Sequence, residues 1–211
     1  MIATFFEGLY RAEEMQTEGA QQSKSSGITC TSTRCEDGLH CFRTTRRLVK
    51  ANMQGMCRAC GADLVDWGRV HGRNLSDVDY TFEALKFELI RHFFWHIEID
   101  QDAVLHGRRK GLAGLRKAVP HRIRISIAAA QPIFDGRQTP RHGNVIFYAQ
   151  HATASCCRKC VEEWHGIPQG RPLTDNEVAY LSALALRYIE ERVPQLTEAG
   201  EKIRSRRRPP T

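Results

Sequence analysis

The sequence predicts an α+β protein, predominantly helical, with small zinc-knuckle and β elements organised by Cys/His metal sites. Two long stretches repeat apolar residues at spacings of three or four, the period of a helix with one buried face. β-favouring runs are short. Eight Cys and nine His among 211 residues cluster along the chain. With 41% hydrophobic and 26% charged residues and a mean hydropathy of −0.45, the composition is that of a globular protein. No apolar run reaches the ~20 residues that a membrane-spanning helix needs. Met1–Tyr10 has neither a basic start nor a sustained apolar core, so no export signal is expected and the cytoplasm is the expected compartment. Thiols in a reducing compartment point to metal before disulfides.

Residues 1–29 read as a flexible leader, rich in Gln, Ser and Gly with little to bury. Residues 30–75 form a Cys-rich zinc module, with a helix expected around Phe42–Ala51 and a tight turn at Cys57–Gly61. Residues 76–120 form a helical segment. Its first helix is expected over Asp77–His96, capped by Ser76, with Val78, Phe82, Leu85, Leu89 and Phe93 on one stripe. Its second is expected over Asp102–Val119, ending before Pro120 and weakened by Gly107, Gly111 and Gly114, with His121–Ala130 either extending it beyond a kink or forming a strand. Residues 121–193 form a Cys/His domain. It holds a loop over Phe134–Asn144, a strand over Val145–Ala149, a short helix over Cys156–Trp164 and a helix opened by the capping box Thr174–Glu177. Residues 194–211 read as a basic disordered tail.

Two constellations carry metal-ligand chemistry. Cys57-x-x-Cys60-Gly61 presents two thiolates to one tetrahedral ion, and Cys41 with Cys35 (or His40) supplies the remaining positions. The second constellation is His151, Cys157, Cys160 and His165, with Cys156 as a spare. Cys157 and Cys160 open a helix, where the dipole favours thiolate. One or two zinc ions are expected. A shared site of Cys57, Cys60, Cys157 and Cys160 and an iron–sulfur cluster are the alternatives. Cys30 is left over. Glu88, His92 and His96 share a helix face, a spacing that suits a metal but suits packed histidines equally well. His71 and Asn74 after the Cys-x-x-Cys turn invite comparison with HNH-type nucleases, though the adjacent Asp-His pair is missing.

The formal charge of +7 is uneven: residues 100–124 contribute +5 and residues 194–211 contribute +3, while residues 77–99 contribute −3. Arg108, Arg109, Lys110, Arg116, Lys117, Arg122 and Arg124 recur near one helix face with few acidic neighbours in sequence, which points to a nucleic-acid partner.

The motifs Asp135-Gly136-x-Gln138-Thr139-Pro140, Ala149-Gln150-His151-Ala152-Thr153-Ala154-Ser155-Cys156-Cys157-Arg158-x-Cys160 and Trp164-His165-Gly166-Ile167-Pro168-x-Gly170-Arg171 run on into the capped helix. Over roughly residues 121–193 they resemble a bacterial family known only as domain of unknown function 4186. The resemblance implies a self-sufficient second metal site and implies no activity. Two functions are weighed: a zinc-stabilised nucleic-acid-binding protein, in a mobile-element or phage-defence setting, and a metal-dependent hydrolase or nuclease. The second would use the His151/Cys157/Cys160/His165 site, with Gln150, Thr153, Arg158 and Arg171 contacting substrate.

Overall fold

The structure is a computed structural model that describes residues 27–134 and 136–203. Its helices are α1 (Arg46–Lys50), α2 (Trp67–Gly72), α3 (Val78–Leu85), α4 (Leu89–His96), α5 (Gln101–Ile127), α6 (Val145–Ala152), α7 (Arg158–His165) and α8 (Asp175–Arg192). The fold is predominantly helical, but the expected β elements do not form. Among the described residues, pairing outside the helices is confined to two isolated bridges, Arg34 with Leu39 and His40 with Glu88. α8 lies at the centre against α3, α5 and α6, and α4 packs on α6.

The helix expected over Asp77–His96 is split into α3 and α4. The His40 amide donates to the Phe87 carbonyl at 2.7 Å, and the Leu89 amide donates to the His40 carbonyl at 2.9 Å. This pairing pulls Glu88 into an extended conformation (φ −89°, ψ 124°) and turns the chain between two apolar faces. Phe82 and Leu85 on α3 and Ile90, Phe94 and Trp95 on α4 are buried in the same core. Ser76 does not cap; it sits inside a 3-10 turn, Leu75–Asp77, that leads into α3.

α5 runs through Pro120 to Ile127 instead of stopping, because Leu115, Val119, Ile123 and Ile127 bury one continuous stripe. Its real interruption is Gly111, at φ 60° and ψ 177°. A Cβ there would sit 2.2 Å from the Gly200 nitrogen, so only glycine fits. The break orphans helical amides, and the C-terminal segment satisfies them: Leu112 donates to Thr197 O (3.0 Å) and Ala113 to Glu198 O (3.1 Å). Part of the expected disordered tail, residues 194–203, is therefore docked on α5. Residues 204–211, like the first 26 of the expected leader and Asp135, lie outside the described residues.

Val145–Ala149 is helix, not strand. The Asn144 side chain caps it by accepting from Ile146 N at 2.9 Å. Burial of Val145, Ile146, Tyr148, Ala149, Gln150 and Ala152 covers more of the segment than a strand's alternate faces would. The Thr174–Glu177 capping box opens α8 as its sequence predicts.

Candidate metal centres

The first group is built from two tight turns and the bridge to α4. Cys35 opens a 3-10 turn closed by Gly38 N donating to Cys35 O at 3.1 Å. Cys57 and Cys60 sit on a turn held by Gly61 N to Cys57 O (2.9 Å) and Cys57 N to Ala62 O (2.8 Å). His40 is fixed by the bridge to Glu88. The ligand atoms of Cys35, His40, Cys57 and Cys60 all lie within 4.8 Å of one another, a group that can hold a metal ion. Cys35 and Cys57 are 3.8 Å apart at sulfur, and Cys60 Sγ is 3.5 Å from His40 Nδ1. Burial opposes ionisation of Cys57, but hydrogen bonds from the backbone of Cys60, Cys41 and Ala59 and from His40 outweigh it and bring its thiol to about 6. Cys41, expected as a ligand, is buried outside the group and donates to the Cys30 carbonyl at 3.3 Å.

The second group is Cys156, Cys157 and Cys160, all buried, with their sulfurs again within 4.8 Å of one another. Cys157 is the N-cap of α7, which aims the helix's free amides at the cluster. The loop carrying the cysteines is fixed from behind. Gln150 Nε2 donates to Ser155 O at 3.0 Å, and Thr139 Oγ1 donates to Cys156 O at 2.9 Å. Cys160 is held well below the ordinary thiol range, first by hydrogen bonds from Cys156, Cys157 and Cys30, with the charge of Arg91 adding to them.

Arg91 is the residue that spacing arguments miss. It is 2% exposed on the apolar face of α4 and donates to Glu88 Oε2 (3.0 Å), to His151 O (2.6 Å) and to Cys160 Sγ (3.2 Å). Glu88 is buried too and accepts from Trp164 Nε1 at 2.7 Å. Burial pushes its carboxyl above the usual range although Arg91 pulls the other way. A charged residue interrupting the stripe Leu89, Ile90, Phe94 was the one available signal.

The histidines expected in the second site turn elsewhere. His151 Nε2 faces the carbonyls of Thr139 and Pro140, and its ring stacks on Phe94 at 4.5 Å. His165 Nε2 bonds Thr153 O at 3.0 Å in a fully buried position. Burial lowers both imidazoles to about 4. The cysteines of the two groups form separate clusters, so Cys57 and Cys60 are not gathered with Cys157 and Cys160. His92 and His96 stack on each other at 3.9 Å, while Glu88 turns inward to Arg91. His71 packs on Trp67 and against Gly166, and Asn74 begins the 3-10 turn before α3. Arg158 donates to Pro168 O and Arg171 O, and Arg171 pairs with Glu177, so both are committed within the fold.

A family model described as domain of unknown function DUF4186 matches residues 79–190, more than half of the chain. The protein belongs to the DUF4186 family. No solved structure matches the chain. The DUF4186 region begins at α3, well upstream of the motifs that first suggested it, and contains Arg91, Glu88 and the second cysteine group. The first group lies wholly before it.

The cations on α5 are partly neutralised by residues distant in sequence. Arg108 pairs with Glu201 (2.6 Å), Arg116 with Glu198 (2.5 Å) and Arg124 with Asp175 (2.7 Å). Arg122 donates to Gln138 O at 2.7 Å and lies over the Phe147 ring. Arg109, Lys110 and Lys117 are exposed and make no ion pair among the described residues.

Proposed function

We propose that this DUF4186 protein binds two zinc ions in a reducing, cytoplasmic setting and uses them to hold its N-terminal module on the helical domain. The carrying observation is the donor set of the first group, in which three thiol sulfurs and one imidazole nitrogen converge from turns separate in sequence. A tetrahedral zinc with bonds near 2.3 Å to sulfur and 2.0–2.1 Å to nitrogen puts its ligand atoms ~3.5–3.8 Å apart. The Cys35–Cys57 and Cys60–His40 separations of 3.8 Å and 3.5 Å fit that frame. An iron–sulfur cluster spreads its thiolates around several irons and fits less well. Zinc held by a full set of protein ligands is structural, which favours a binding or scaffold role over hydrolysis.

Among the described residues of α5, a nucleic-acid partner draws support from Arg109, Lys110 and Lys117, because Arg108, Arg116 and Arg124 are paired within the chain. Elemental analysis of protein purified without added metal tests the reading. Two zinc per chain is the expected result; iron or copper, or fewer than two ions, counts against it.

A further inference from the structure

Three thiolates leave a tetrahedral ion one position short. The DUF4186 cysteines Cys156, Cys157 and Cys160 form one wall of a cavity of about 490 Å³ that is also lined by Cys30, Ile90, Arg91 and Phe94. Cys30 lies outside the family match, on the segment that precedes the first metal group. Cys30 lines that cavity with them, although the cluster of sulfurs within 4.8 Å comprises Cys156, Cys157 and Cys160. Two contacts place it there. Ile28 packs on the core and shares a surface groove with Leu89 and Phe93, and the Cys30 carbonyl accepts from Cys41 Sγ at 3.3 Å.

Two other donor atoms near the cavity already have partners. His151 Nε2 faces the Thr139 and Pro140 carbonyls, and Glu88 accepts from Arg91 and Trp164. We infer that Cys30 is the fourth ligand of the second centre, closing Cys156, Cys157 and Cys160 into a buried four-sulfur site that ties the N-terminal segment to the DUF4186 domain.

The charge balance agrees with this. A divalent ion with four thiolates carries two net negative charges in a buried place, and such a charge needs a partner. Arg91, 2% exposed and 3.2 Å from Cys160 Sγ, supplies part of the opposing charge while also pairing with Glu88, and Arg137 and Arg141 line the same cavity. A closed four-sulfur set leaves no position at which a metal-bound water could be activated, so this centre is structural.

The inference rests on the two-zinc reading, and the experiment separates their failures. Zinc X-ray absorption on the full chain should give about 3.5 sulfurs per zinc, the mean of a four-sulfur and a three-sulfur, one-nitrogen site. Cys30→Ser should keep two zinc per chain and lower that mean to about 3. An unchanged mean overturns the Cys30 assignment while leaving the two-zinc reading in place; a wild-type protein with fewer than two zinc overturns both. If Cys30→Ser does not fold, native wild-type protein is treated with iodoacetamide and mapped by mass spectrometry. Cys30 blocked in the two-zinc protein and alkylated after chelation supports the assignment, and Cys30 alkylated while both zincs are bound overturns it.

Discussion

Arg91 commits its guanidinium to Glu88, the His151 carbonyl and Cys160. Removing one member of a buried ion pair strands the other's charge in a low-dielectric setting. Arg91→Met is therefore expected to cost about 3–5 kcal/mol. Replacing Glu88 by Met in the same protein should recover much of that loss. Urea midpoints for the single and double variants check this, and an Arg91→Met midpoint equal to wild type would contradict it. Individual residues also show where spacing misleads. Cys41 and His40 are neighbours, but the bridge to Glu88 turns the imidazole toward Cys60 and leaves the Cys41 thiol facing the Cys30 carbonyl. No pattern of cysteines in one dimension carries that choice.

Among the elements, α8 forms where its capping box places it. The α8 capping box is complete, with Glu177 N donating to Thr174 Oγ1 at 3.2 Å and Thr174 N donating to Glu177 Oε2 at 2.8 Å. The Arg171 guanidinium beside Glu177 holds its carboxyl down to about 2, against an ordinary 4.5. A carboxyl depressed in the folded state adds stability that is complete above its unfolded value and is lost as pH falls through the folded one. The stability gap between wild type and Glu177→Gln should thus be constant above about pH 5. It should close as pH falls from 4.5 toward 2, the interval between the two values. Thermal melts across that range decide it, since a gap independent of pH would show that Glu177 does not titrate in this way.

Other elements, a strongly periodic one among them, were settled by their neighbours. The Asp77–His96 periodicity is real, yet its helix yields at Glu88 because the His40 strand fragment competes for the same backbone groups. The run Val145–Ala149 has β-favouring residues, but the Asn144 cap and burial on several sides make it helical. α5 breaks at Gly111, not at Pro120. The segment around Thr197–Gly200 fills the break, and its closeness to Gly111 is invisible without the fold.

On the scale of the whole molecule, the N-terminal module and the DUF4186 region share one core. Phe42 and Trp67 meet Trp164 of α7 at ring distances of 5.7 Å and 5.3 Å, and Arg43 pairs with Glu163 at 2.9 Å. The module itself has short helices and two ligand-bearing turns, so without metal it has little to order it. Chelation with EDTA is expected to expose residues 27–62 to trypsin while leaving most far-ultraviolet helix signal, which comes from α3 to α8. Resistance of that segment after verified metal loss would contradict the expectation. No helix of the described residues is long and apolar enough to cross a membrane.

From the sequence alone come the helical character, the α8 cap, the concentration of cysteines at two places and the DUF4186 motifs, because each rests on residues close together along the chain. The membership of each metal group was decided by tertiary structure. It depends on turns far apart in sequence, on a bridge that turns His40 inward, and on a buried Arg91 whose partners lie up to 69 positions away. A ligand set is a fact about convergence in space, and cysteine spacing along the chain narrows that convergence without choosing it.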